Sequence, residues 1–135
     1  MTTTPTVLFV CLHGSAKSLI AAEHFRRLAA QRGLRVEAQS AGLEPDAQIP
    51  PRVIEGLSGD GIDVRGRQPR PVMASEVGQA SHVVTFACDL GAMDSGAPAR
   101  IRWDDVPAVS DGYKPARDVI VARVTSLLDE LSRKA

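Results

Sequence analysis

The chain has 135 residues, 44% of them apolar and 24% charged, which suits one globular domain spanning residues 1–135 and excludes a disordered chain. Sixteen basic and sixteen acidic residues give a formal net charge of zero, so no overall field draws the chain to nucleic acid or an anionic membrane, and any anion site must be local. No apolar stretch approaches the ~20 residues needed to cross a bilayer, and Met1–Thr6 lacks the charged start of a signal peptide, so a cytoplasmic protein is expected.

In chain order, Thr6–Cys11 is an apolar run rich in β-formers, which predicts a strand covered on both faces, as in a parallel sheet. Ser15–Gln31 places Leu19, Ala22, Phe25, Leu28 and Ala29 at helical spacing with Glu23, Arg26 and Arg27 elsewhere, and Gly33 stops that helix. Val36–Ser40 reads as a second strand closed by Ala41-Gly42, joined to the first by a βαβ crossover. Pro50 and Pro51 open a helix over Arg52–Ser58, and Gly59-Asp60-Gly61 ends it. Arg65–Pro71 is irregular and basic, with a solvated loop favoured over an anion site at Arg65, Arg67 and Arg70. Ala74–Ala80 predicts a short helix, and His82–Phe86 a third buried strand. Cys88–Pro98 reads as an exposed loop and Ala99–Trp103 as a fourth strand with Trp103 in the core. A closing helix over Pro115–Arg133 turns Val119, Val121, Ala122, Val124, Leu127, Leu128 and Leu131 inward. Strands alternating with helices predict an α/β fold, a three-layer αβα domain around a small four-stranded parallel sheet.

The chemistry concentrates where the first strand ends. Cys11-Leu12-His13-Gly14-Ser15-Ala16-Lys17-Ser18 delivers a thiol into a short loop that turns at once into a helix. The amides of Leu12, His13, Gly14, Ser15, Ala16 and Lys17, with the positive end of the helix dipole, form a cup for an oxyanion at the C-terminal edge of the sheet. Such donors favour a thiolate, making Cys11 the candidate nucleophile; the plainer alternative is an inert buried thiol. A nucleotide-binding loop is excluded because Ala16 stands where that motif requires the glycine before its lysine. Two distant cysteines form no metal-ligand spacing, and neither a metal nor a cofactor is expected. His13 is equally a ligand to an anion or a solvent-facing loop residue, while His24 and His82 are taken as structural.

This segment resembles the signature loop of the low-molecular-weight protein tyrosine phosphatases and of the arsenate reductases that share their fold: Cys, five residues, Arg, then Ser or Thr. Ser40-Ala41-Gly42, Ser81–Phe86 and Trp103-Asp104-Asp105-Val106-Pro107-Ala108 resemble further segments of the family in the same order. The resemblance implies the same fold and a cysteinyl-phosphate mechanism. Cys11 is then the nucleophile, Ser18 a hydrogen-bond donor to its thiolate, Lys17 the cation of the cup, and Asp105, or else Asp104, the general acid, although both aspartates also suit a turn cap. Lys17 stands where the family has Arg, which removes a bidentate grip; losing one such transition-state bond costs about 2.7–4 kcal/mol by analogy with oxyanion-hole deletions. Val106 separates Asp105 from Pro107, Gly14 replaces a common Asn, and Ala16 stands where one reductase type carries a relay cysteine. Cys88 follows the third strand near another relay position, as a redox candidate or an inert thiol, and Tyr113 is a candidate wall for an aromatic substrate.

Three functions follow as expectations: a phosphate-monoester hydrolase of the phosphotyrosine type, a thiol-linked arsenate reductase, and an oxyanion-binding module with impaired turnover. The ligand expected is a phosphate-, sulfate- or arsenate-like anion. The resemblance adds a phosphoprotein or a small-thiol reductant as partner, the Cys-Leu-His opening being similar to reductases that use an external thiol.

Overall fold

The computed structural model describes residues 4–93 and 99–134. Its elements are β1 (Thr6–Cys11), α1 (Lys17–Gln31), β2 (Glu37–Gly42), α2 (Pro51–Gly59), α3 (Ala74–Gln79), β3 (His82–Thr85), β4 (Ala99–Arg102) and α4 (Tyr113–Lys134), with short 3₁₀ turns at Gly91–Met93 and Val109–Asp111. The strands pair in parallel in the order β2-β1-β3-β4, so β1 is central and its C-terminal end is flanked by the ends of β2 and β3.

The apolar run of β1 is explained by its two buried faces. Successive side chains point to opposite sides of a strand, and here Val7, Phe9 and Cys11 pack with Leu19 and Phe25 of α1 and Ile120, Val124 and Leu128 of α4. Leu8 and Val10 go the other way, joining Val72, Val77 and Ala80 beside α3. The result is the three-layer α/β arrangement predicted from the alternating elements. Aromatic packing centres on Phe9, whose ring meets Phe25 edge-on at 5.7 Å; Trp103, buried as expected, meets Phe86 edge-on at 5.6 Å.

Several boundaries differ from expectation for identifiable reasons. Helix α1 starts at Lys17 rather than Ser15 because the preceding residues bend around the Cys11 sulfur, and Ala16, at φ −133° and ψ −94°, is outside the helical region. β2 runs on to Ala41 and Gly42, which pair with Val10 and Cys11. β3 and β4 end one residue early, yet Phe86 N–H still donates to the Val10 carbonyl and Trp103 N–H to that of Thr85. In α4 the buried stripe is Ala116, Ile120, Val124, Leu127 and Leu128; Ala122 is exposed, because it sits on the opposite side of the helix from that stripe. The loop expected over 88–98 lies partly outside the described residues, and within them Leu90 is buried.

Candidate active site

The loop after β1 is held from two directions. β2 leaves the sheet alongside it and the ladder continues past both strands: Leu43 N–H bonds the Cys11 carbonyl at 3.3 Å, Glu44 N–H that of Leu12 at 2.7 Å, and Asp46 N–H that of His13 at 3.2 Å. Gly14, at φ +64°, packs backbone to backbone on Gly42, where a Cβ on Gly14 would come within 2.6 Å of the Gly42 nitrogen and one on Gly42 within 2.5 Å of the Gly14 nitrogen. The two glycines therefore fix how closely loop and strand approach.

Around the thiol, Gly14 N–H donates to Cys11 Sγ at 3.1 Å, and the buried Ser18 hydroxyl lies 3.0 Å from the same atom, a donor that an ionised sulfur would accept. Among the described residues, no carbonyl accepts from the amides of Leu12, His13, Ser15, Ala16 or Lys17. Cys11, only 7% exposed, forms part of the lining of a cleft of about 630 Å³ with Leu12, His13, Ser15, Ala16 and Lys17. The structure thus brings together Cys11, the candidate nucleophile, with Ser18, Lys17 and most of the loop; Gly14 lies behind the cleft rather than in its lining.

The remaining walls were not legible as site residues. Pro50, Pro51, Arg52 and Val53 at the start of α2 form one side, Ala108, Val109 and Ser110 the other, and Phe86 contributes from the end of β3. Arg52 donates to the carbonyls of Val109 and Ser110 and so joins the two sides. Asp46 is the carboxylate among the described lining residues. It accepts from the Ser15 hydroxyl at 2.8 Å, and its other oxygen lies 3.4 Å from His13 Nδ1. The available signal was topological: a segment leaving β2 at the same sheet edge has to flank the loop that leaves β1.

Three residues singled out in the sequence lie outside the cleft lining. Asp105, the preferred general acid, is outside the cleft lining; its exposed carboxylate pairs with Arg123 of α4 at 2.6 Å, and that guanidinium holds its pKa below the usual aspartate range. Asp104 also faces elsewhere, accepting from Ala87 N–H at 3.0 Å and pairing with Arg102, as a cap on the turn after β3. Tyr113 is no wall of the cleft. Its ring lies against Gly56, where a side chain would collide with it, and its hydroxyl donates to Asp60 at 2.7 Å; burial pushes its pKa well up. Asp60 also takes His24 Nε2–H and Arg117, so His24 is structural as expected. Arg65, Arg67 and Arg70 each have a carboxylate partner, in Asp63, Glu23 and Glu76.

Cys88 is free, half-buried, and directed at the Val10 carbonyl 3.5 Å away, with burial pushing its thiol pKa up. It packs with the Leu8 and Val10 side of the sheet, whereas Cys11 packs with the Val7 and Phe9 side. The two thiols thus join different sides of the core, yet stand near enough for Cys11 to contribute to raising the Cys88 pKa. Among the described residues no cluster of three or more His, Cys, Asp or Glu side chains is placed to hold a metal, and no helix is long and apolar enough to cross a membrane.

A cysteine embraced by a short loop at the C-terminal edge of a central parallel strand, continuing directly into a helix, defines a class of cysteine-dependent phosphatases and arsenate reductases. The profile of the family described as low molecular weight phosphotyrosine protein phosphatase matches residues 6–95, and the chain belongs to that family. A Halobacterium salinarum protein provisionally named as an arsenate reductase is 27% identical over 129 residues, covering 92% of this chain and 91% of that one. Among solved structures, the low-molecular-weight protein tyrosine phosphatase of T. tengcongensis superposes with a TM-score of 0.84 at 19% identity, covering 94% of this chain and 99% of that one. YfkJ of Bacillus subtilis gives 0.83 at 23% identity, with 98% of each chain covered. The thioredoxin-dependent arsenate reductase Cg_ArsC1' of Corynebacterium glutamicum gives 0.82 at 25% identity, covering 99% of this chain but 65% of that one.

Proposed function

We propose that the chain hydrolyses phosphate monoesters through a covalent cysteinyl-phosphate intermediate, acting on small esters. The observation that carries this reading is the pair of donors on Cys11 Sγ, Gly14 N–H and Ser18 Oγ, inside a loop whose other amides have no carbonyl partner among the described residues. Those amides and Lys17 take the equatorial oxygens of the ester, the sulfur attacks phosphorus in line, and water releases phosphate in a second step. Because Tyr113 is engaged by Asp60 and the lining Phe86 is almost wholly buried, the accessible flank of the cleft is Leu12, Pro50 and Pro51, which favours small esters over a phosphotyrosine protein. In the test, the wild-type chain turns over para-nitrophenyl phosphate slowly, Cys11→Ser abolishes turnover, and Lys17→Arg raises it by about 10²–10³-fold if a bidentate grip restores one transition-state bond. Turnover that survives Cys11→Ser refutes the reading.

Thiol-linked arsenate reduction is the second reading, favoured by the absence of Asp104 and Asp105 from the cleft and by the Halobacterium and Corynebacterium relatives. In that reading the reductant is an external thiol or Cys88, which is itself a free thiol. Thiol-dependent release of arsenite, without ester hydrolysis, would establish it. Anion binding with neither reaction would leave the cup as a binding module.

A further inference from the structure

The cleft holds a second cation besides Lys17, on a different element. Arg52, in the first turn of α2, lines the same cleft as Cys11 and Lys17, and its Nη1 donates to the Val109 carbonyl at 3.3 Å and to that of Ser110 on the facing wall. Both acceptors are neutral. Among the described residues no carboxylate pairs with Arg52, whereas Arg65, Arg67 and Arg70 are each matched to an acidic partner. Asp46, the carboxylate among the described lining residues, is engaged elsewhere: it accepts from the Ser15 hydroxyl at 2.8 Å and stands 3.4 Å from His13 Nδ1. The charge of Arg52 is therefore uncompensated, and it stands beside Leu12, Pro50 and Pro51, apolar groups that screen a charge far less than water does.

We infer that Arg52 binds a carboxylate on the leaving-group side of the substrate, so that the preferred esters are phosphates of small hydroxy acids; this rests on the ester-hydrolysis reading. The loop amides and Lys17 take the phosphate, which leaves Arg52 as a specificity residue rather than a reacting one. A guanidinium has donors on three nitrogens, and here Nη1 alone is engaged. The edge formed by Nε and Nη2 has no partner among the described residues. Its two parallel N–H groups match the two oxygens of a carboxylate, and its single charge balances a monoanion, whereas a second phosphate would bring about two charges. The bonds on Nη1 keep the guanidinium at the mouth of the cleft ahead of binding, which limits the side-chain freedom lost when the anion arrives. A cleft of about 630 Å³ is also of the size that encloses a small organic ligand.

The test compares para-carboxyphenyl phosphate with para-carbamoylphenyl phosphate, a neutral isostere with a leaving group of similar acidity, and adds the corresponding meta pair to vary the reach. In the wild-type chain the carboxylate of one pair or both is expected to raise kcat/KM about 10- to 100-fold over the amide, chiefly through KM. Arg52→Gln should bring that ratio close to unity, and Arg52→Lys, which keeps the charge and loses the fork, should leave it in between. Since Arg52 also joins two walls of the cleft, a purely structural role would slow both members of a pair alike and leave the ratio as in the wild type. That result, or a wild type that prefers neither carboxylate, overturns the inference. A wild type idle on all four esters and on para-nitrophenyl phosphate sinks the hydrolase reading instead. Titration calorimetry with the same pairs then reads Arg52 without turnover: tighter binding of a carboxylate ester that Arg52→Gln loses upholds the subsite, and equal binding of ester and isostere overturns it.

Discussion

Two segments leave the C-terminal edge of the same sheet and are held in opposite ways. The loop after β1 is braced by backbone hydrogen bonds from residues 43, 44 and 46 and by the contact of Gly14 with Gly42, with its sulfur buried. The segment after β4 carries Asp104 and Asp105 on exposed ion pairs with Arg102 and Arg123. Exposed pairs contribute about 0–1 kcal/mol each, whereas backbone packed on backbone gives way only if the fold does. The geometry needed for chemistry is thus built on the braced side, and the carboxylates that a linear motif points to are free to be recruited by a neighbouring helix.

The strongest way to break this contrast is Gly42→Ala, which drives a Cβ into the signature loop. A loss of about 1–3 kcal/mol in stability is expected from overpacking, together with loss of phosphate binding, read by denaturant melts and isothermal titration. Retained binding would show that the loop is braced less tightly than its contacts imply. A smaller effect tests the buried polar cluster behind the site. Burial, outweighing the pull of Asp60, sets the His24 pKa below its ordinary value. A group depressed in the fold contributes stability above its unfolded pKa, about 6.5, and loses that contribution as pH falls through the folded value. Stability should therefore decline as pH falls from about 6.5 through the folded value and level off below it, and His24→Gln should flatten this part of the profile, as followed by thermal melts across pH. The smallest effect belongs to the loosely held segment. Asp105→Asn should change stability by less than about 1 kcal/mol and leave the hydrolysis of para-nitrophenyl phosphate nearly as it is. A large loss of turnover would return Asp105 to the chemistry.

Much of the layout was legible in the residues because burial leaves a local trace. The unbroken apolar run Thr6–Cys11 reports two covered faces, and the spacing of Leu19, Ala22 and Phe25 reports one helix face against the sheet. Cys11, Lys17 and Ser18 were legible for the same reason: they are neighbours along the chain, and strand, loop and helix place them together. Partners that meet across the fold leave no such trace. Asp105 is oriented by Arg123, a helix residue much further along, and Tyr113 is drawn to Asp60 because Gly56 leaves space for its ring. Asp46 carries no motif of its own; only the parallel exit of β2 beside β1 makes it a neighbour of Ser15 and His13.

The side chain of Arg52 reaches from the first turn of α2 to the carbonyls just ahead of α4, tying Pro50 and Pro51 to the Val109–Ser110 bank opposite. The gap between those banks is thus bridged by hydrogen bonds from one exposed, rotatable guanidinium, so an anion that draws Arg52 to itself also unties the two banks.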